Sequence, residues 1–193
     1  MRILRAADHR VMPWKNGGGT TTEIAVYPEG AGLDTFEWRV SMARVETNGP
    51  FSAFPGVERT LAVLDGEGIR LEIEGQKPIE LTKRSKPLGF PADVKTSAEL
   101  LGGAITDLNV MTRRGTWKHT VERVALRERT RIELFSGATL VLASEGGASV
   151  AHSDTSTELL ARDCALFDAS DEPAVLEPHG TSALFLLRLS RAR

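Results

Sequence analysis

The sequence predicts an all-β fold, and three observations carry that prediction. Apolar and polar residues alternate at period two along most of the chain, and turn-forming residues interrupt those runs at short intervals. No segment sustains a 3.6-residue apolar period between helix caps. An antiparallel barrel or sandwich fits this pattern.

The first element is the stretch Pro13-Trp14-Lys15-Asn16-Gly17-Gly18-Gly19-Thr20. Three consecutive glycines carry a large conformational entropy cost, so the backbone there must turn sharply or pass close to something. Thr20-Thr21-Thr22 and then Ile24 to Tyr27 favour extended structure, so the glycines open a strand. A phosphate-cradling loop needs a following helix and a G-x-x-x-x-G-K-[ST] or G-x-G-x-x-G spacing, and neither is present. A nucleotide loop is excluded.

Next, Phe36, Trp38, Val40 and Met42 alternate with Glu37, Arg39, Ser41 and Ala43. Ile69, Leu71 and Ile73 alternate with Arg70, Glu72 and Glu74, the clearest strand with one buried face. Val94, Thr96, Ala98 and Leu100 repeat the pattern, as do Leu108 and Val110 against Asn109 and Met111. Near the end, Ala183, Phe185, Leu187 and Leu189 form one stripe of a long strand. Breakers such as Asn48-Gly49-Pro50, Pro55-Gly56, Asp65-Gly66-Glu67-Gly68 and Gly146-Gly147 separate the runs.

Two segments echo one another. Leu61-Ala62-Val63-Leu64-Asp65-Gly66-Glu67-Gly68 and Leu140-Val141-Leu142-Ala143-Ser144-Glu145-Gly146-Gly147 are each an apolar strand followed by an acidic-glycine turn. Their separation of ~80 residues points to two related β-domains. Thr112-Arg113-Arg114-Gly115 interrupts the apolar pattern, so the expected domains are residues 1–115 and 116–193.

Composition narrows the function. With 24 basic and 26 acidic side chains in 193 residues, the net charge of −2 predicts no general attraction for nucleic acid or an anionic membrane. The N-terminus lacks the apolar core of a secretory signal, and no apolar run approaches a bilayer-spanning length. The single cysteine, Cys164, lies in an apolar strand and has no internal disulfide partner, so a cytoplasmic protein is expected.

Several motifs together resemble the HutD/Ves family of bacterial proteins. They are the Pro13-to-Thr20 stretch, Trp38-Arg39-Val40-Ser41, Gly49-Pro50-Phe51-Ser52-Ala53-Phe54-Pro55-Gly56, Arg59-Thr60-Leu61 and Asp107-Leu108-Asn109-Val110-Met111-Thr112-Arg113. The resemblance implies a bicupin, two antiparallel β-barrels in one chain. It also implies a part in histidine utilisation, with a degradation intermediate such as formiminoglutamate as the proposed ligand.

Cupin enzymes generally hold a metal with two closely spaced histidines, a glutamate and a later histidine. Here His9, His119, His152 and His179 are scattered, and the equivalent stretch from Phe51 to Arg59 has none. No metal and no cofactor are expected. Cations in the motifs point to a different chemistry. Arg39 and Ser41 share one face of a strand, Arg59 precedes Leu61, and Asn109, Met111 and Arg113 share another face. Guanidinium grips carboxylate with two parallel hydrogen bonds, and Asn and Ser orient what it holds. Each arginine can equally face solvent or pair with Glu23, Glu37 or Glu58.

Trp14, Phe51 and Phe54 fit either a pocket mouth or loop anchors. Lys15 and Asn16 have little packing purpose in a glycine loop, which marks them for ligand contact or a solvated turn. Trp14, Lys15, Asn16, Arg39, Ser41, Phe54, Arg59, Asn109, Met111 and Arg113 therefore make up the expected binding set. The expected partner is a small carboxylate metabolite, bound without covalent chemistry. A metal-free isomerase or hydrolase with Glu23 or Asp107 as base is the alternative, and a non-catalytic structural or interaction module, such as a homodimer joined through an exposed strand or sheet, is a third.

Overall fold

The computed structural model describes residues 1–134, 137–169 and 172–192. The described residues are strands, turns and one 3-10 turn at Ala6–Asp8. They include no helix long and apolar enough to cross a membrane. The chain divides into two compact units. One comprises residues 10–118 with Ala192, and the other residues 1–9 with 119–191. The N-terminal unit thus begins at Arg10 and not at residue 1.

The first strand, β1 (Arg2–Leu4), belongs to the C-terminal unit. In the N-terminal unit, β2 (Arg10–Pro13), β3 (Gly19–Tyr27) and β4 (Trp38–Val45) come first. They are followed by β5 (Gly49–Pro50), β6 (Val57–Asp65), β7 (Ile69–Ile73) and β8 (Ile79–Leu81). The unit continues through β9 (Leu88–Pro91), β10 (Thr96–Leu100) and β11 (Ile105–Arg113). These strands make a six-stranded sheet, β2-β3-β4-β11-β6-β9, and a four-stranded sheet, β5-β10-β7-β8. Every pairing for which register is defined in the two sheets is antiparallel.

The two sheets share one apolar cluster. Ala43, Val45, Leu61, Val63 and Ile105 meet Ile69, Leu71, Ile73, Leu81 and Ala98 there, all buried. The period-two runs supply this core, because alternate residues of a strand fall on one face. A smaller cluster of Phe36, Val57, Ala92 and Met111 lies beside partly buried Phe54.

The C-terminal unit is a seven-stranded sheet. β12 (Trp117–Leu126) straddles the division between the units, and β13 (Thr130–Ile132), β14 (Ala138–His152), β15 (Thr155–Leu159), β16 (Cys164–Asp168) and β17 (Ala174–Arg191) follow. The order is β1-β16-β14-β17-β12, with β13 on β17 and β15 on β14. Val141, Val150, Leu159, Phe167 and Leu176 are fully or almost fully buried in its core. Cys164 is buried too, and desolvation pushes its thiol well above the usual range, which makes it an inert packing group. Among the described residues none of the three sheets closes on itself, so the expected barrels are open sheets here.

The glycine stretch leads into β3, and Gly17 and Gly19 each have a reason. Gly17 turns with φ +71°, which an L side chain rarely adopts. Gly17 N–H donates to Trp14 C=O at 3.1 Å, and Trp14 N–H donates to Gly19 C=O at 2.9 Å, closing the loop. A Cβ on Gly19 would collide with the carbonyl oxygen of Arg44 on β4 and crowd the Trp14 ring. Gly19→Ala should therefore cost about 2–3 kcal/mol. Urea denaturation checks this, and an unchanged midpoint would show that β4 yields without strain.

Candidate functional site

One face of the six-stranded sheet carries the candidate site, and strand register explains its membership. On β11, Asp107, Asn109 and Met111 point the same way. Asn109 pairs with Ser41 on β4 and Leu61 on β6, while Met111 pairs with Arg39 and Arg59. Asp107 pairs with Ala43 and Val63. Arg39, Ser41 and Ala43 thus line up with Arg59 beside the same β11 residues. Two bulges adjust this face. One follows Glu23, which pairs with Ser41, and lies before Ala25 on β3; the other lies beside Asp107.

These side chains border a cavity of about 510 Å³, a size suited to a small ligand. Met12, Pro13, Trp14, Lys15, Asn16 and Thr21 line it from β2 and β3 and the loop between them. Leu33, Pro50, Phe51, Ser52 and Phe54 line it from other loops and β5. At one end the wall merges with the apolar core at Ala43 and Val45. At the other stand the two arginines and Met111.

The arginines differ. Arg39 Nε donates to Glu23 Oε2 at 2.7 Å, and the guanidinium is almost wholly buried, so its charge is already matched. Arg59 is 4% exposed. Its guanidinium donates to Ser52 C=O at 3.4 Å and reaches the Met111 sulfur at 4.0 Å, and its Nε is buried without a hydrogen-bond partner. No carboxylate lies within ion-pair distance of it among the described residues. Phe51, Phe54 and Phe90 surround it, with ring centroids 5.3–5.9 Å from the guanidinium carbon. Burial lowers its pKa to about 10; Asp107 opposes that fall and Arg39 adds to it.

Asp107 is the acidic counterpart, 1% exposed. Burial beside Ala43 and Val63 pushes its pKa up to about 7, against the pull of Arg59, of Asn109 and of the Ala43 backbone. Asn109 Nδ2 donates to Asp107 Oδ1 at 2.5 Å. Its amide is thus committed to holding the acid and only partly free to meet a ligand.

Nine of the ten expected binding residues line the cavity: Trp14, Lys15, Asn16, Arg39, Ser41, Phe54, Arg59, Asn109 and Met111. Arg113 does not. Its guanidinium donates to the carbonyls of Asp34 (2.7 Å), Pro55 (2.9 Å) and Phe36 (3.1 Å) and lies over the Phe36 ring. It therefore ties two loops together, because three carbonyls occupy its donors. Asn16 makes a turn as well as lining the cavity, since its Oδ1 accepts from Gly18 N–H at 3.1 Å. Trp14 Nε1 donates to Thr21 Oγ1 at 2.8 Å, which fixes the indole at the cavity wall.

Asp107 was absent from the expected binding set although its phase with Asn109 and Met111 marks it. Thr21 and Ser52, also missed, carry no signal beyond their neighbours. None of the histidines lines the cavity. Burial pushes His119 down to about 4, and His179 contacts Ser149 Oγ at 2.7 Å and Glu158 at 3.3 Å on the C-terminal unit. Among the described residues no three His, Cys, Asp or Glu side chains are grouped to hold a metal.

The HutD family model matches residues 6–186. The chain belongs to the HutD family. A 21.2 kDa protein in the hutC 3' region of Pseudomonas putida is 36% identical over 203 residues, covering 97% of each chain. Protein Ves of Citrobacter koseri is 41% identical over 140 residues, covering 70% of this chain and 71% of that one. The structure of HutD from Pseudomonas fluorescens SBW25 superposes with a TM-score of 0.85 at 29% identity, covering 100% and 99% of the two chains.

The cupin-like fold reaches further than the HutD family. An oxalate decarboxylase from Lactobacillus farciminis superposes at a TM-score of 0.66 with 9% identity, covering 97% and 85%. That likeness is of fold alone. The imidazole-rich metal set of cupin enzymes does not fit this HutD-family cavity, whose chargeable lining groups are one lysine, two arginines and one aspartate.

Proposed function

We propose that this HutD-family protein is a cytoplasmic bicupin that binds a small carboxylate-bearing metabolite and so modulates histidine utilisation, without a metal. The observation that carries the reading is Arg59. A guanidinium so deeply buried ordinarily has a carboxylate in direct contact, and among the described residues this one has none within ion-pair distance, while its Nε is buried without a hydrogen-bond partner. An anionic ligand supplies that direct contact. Met111, Phe51 and Phe54 offer apolar contact to its carbon chain, while Ser41 and Lys15 offer further donors.

The pathway rests on the family and on the position of the P. putida relative beside hutC. Formiminoglutamate is the leading candidate ligand. Calorimetry with formiminoglutamate, glutamate and related histidine-pathway acids tests the reading. Binding accompanied by a raised melting temperature is expected. No heat with any of these acids would remove the pathway assignment.

One observation favours a second reading, a metal-free enzyme. Asp107 in the cavity wall has the proton affinity of a general base or acid near neutrality. Glu23 is held by Arg39 and is the weaker candidate. Turnover of a bound acid, lost in Asp107→Asn with binding retained, would establish that reading in place of the first.

A further inference from the structure

We infer that the cavity is bipolar, with Arg59 taking the ligand's carboxylate and Asp107 accepting an N–H donor at the ligand's other end. The inference rests on the anion reading of Arg59 and narrows its ligand class. It makes Asp107 the residue that separates amino-, amido- or amidino-substituted acids from plain dicarboxylates.

Placement is the first argument. Asp107 and Met111 are four residues apart on one face of β11, about 13 Å at roughly 3.3 Å per strand residue. Arg59 enters opposite Met111 and closes part of that gap with its own side chain. Both groups border the same cavity. A short carbon chain therefore bridges them, with Ser41 and Asn109 beside its middle.

Polarity is the second. Asn109 Nδ2 already donates to one Asp107 oxygen at 2.5 Å, and the Ala43 backbone favours the charged form of the acid. Donors on the protein side hold the group as an acceptor, and its remaining lone pairs are left for the ligand. A plain dicarboxylate would bring its second negative charge against this one in a water-poor site. An ammonium or amidinium would match it, and an amide N–H would satisfy it.

The groups facing Asp107 fix the direction of any pH effect. Arg59 on β6, Arg39 on β4 (paired with Glu23 on β3) and Lys15 in the β2–β3 loop are the charged groups around the cavity. Asp107 is the acid that lines it, and with a pKa near 7 its acceptor form gains weight as pH rises past neutrality.

The test is calorimetry on the full chain with matched probes: 4-aminobutanoate, 5-aminopentanoate and 6-aminohexanoate against succinate, glutarate and adipate. At about pH 8, at one chain length or more, the amino acid should bind at least about tenfold more tightly than the matching dicarboxylate. Asp107→Asn should bring the pair to within about threefold, and Arg59→Ala should weaken both members. The wild-type preference should also shrink at about pH 6, an arm that needs no variant to fold. Equal or tighter dicarboxylate binding at every length overturns the bipolar cavity and leaves the anion reading standing. So does a preference that survives Asp107→Asn, or one unchanged by pH. Failure of every acid to bind removes both inferences.

Discussion

Arg59→Ala is expected to weaken binding of a small carboxylate by about 2–5 kcal/mol while leaving the unliganded melting temperature close to wild type. Both halves follow from its surroundings. In the bound state truncation strands a desolvated carboxylate. In the free protein it removes a buried charge that has no ion-pair partner and whose own pKa burial lowers. The aromatic contacts from Phe51, Phe54 and Phe90 are lost as well, which sets a modest stability cost against that relief.

Arg39→Ala should behave in the opposite way. Arg39 neutralises Glu23, so its loss leaves a poorly solvated carboxylate and should cost about 3 kcal/mol of stability before any ligand is added. Arg59→Lys should bind poorly, because an ammonium cannot reproduce the planar fork. Calorimetry and urea denaturation on the same three variants separate these roles. If Arg59→Ala bound like wild type the site would be lost, and if it unfolded readily Arg59 would be a structural residue.

Much of this site was legible in the sequence because a strand writes its faces at period two. Arg39 with Ser41, and Asn109 with Met111, were placed on common faces by counting alone, and they line one cavity. Arg113 obeys the same count and escapes it. Three backbone carbonyls from loops some 60 to 80 residues away in sequence capture it, and period two says nothing about loops. The Arg39–Glu23 pair follows from the β3–β4 register, which sets Glu23 opposite Ser41, and that register has no residue signature. The strands were likewise readable, whereas sheet closure was not, because alternation fixes which face is apolar and not how far a sheet curls. β1 shows the same limit: nothing in Arg2-Ile3-Leu4 names its partner, and it pairs with Cys164-Ala165-Leu166.

Asp107→Asn should stabilise the unliganded protein, and by an amount that depends on pH. The ordinary aspartate value is 3.8 and the folded value about 7, so between those limits the native state holds a proton that the unfolded chain releases. The stability contributed by the protonated acid is complete below about pH 4 and is lost as pH rises through about 7. Asparagine is neutral throughout. The stability difference between variant and wild type should therefore grow from about pH 4 to about pH 7 and then level off. The roughly three decades involved set a ceiling of about 4 kcal/mol.

His119, depressed to about 4 by burial, has the opposite slope, because its stability is lost as pH falls below the ordinary histidine value. It is common to both proteins and cancels in the difference. Urea denaturation at about pH 4, 6 and 8 measures that difference, and parallel curves for the two proteins would show that Asp107 is an ordinary exposed-like acid. An isosteric amide can accept the Asn109 hydrogen bond through its own oxygen, so packing gives no reason to prefer the acid. What the amide lacks is the negative charge, which destabilises the empty protein at neutral pH.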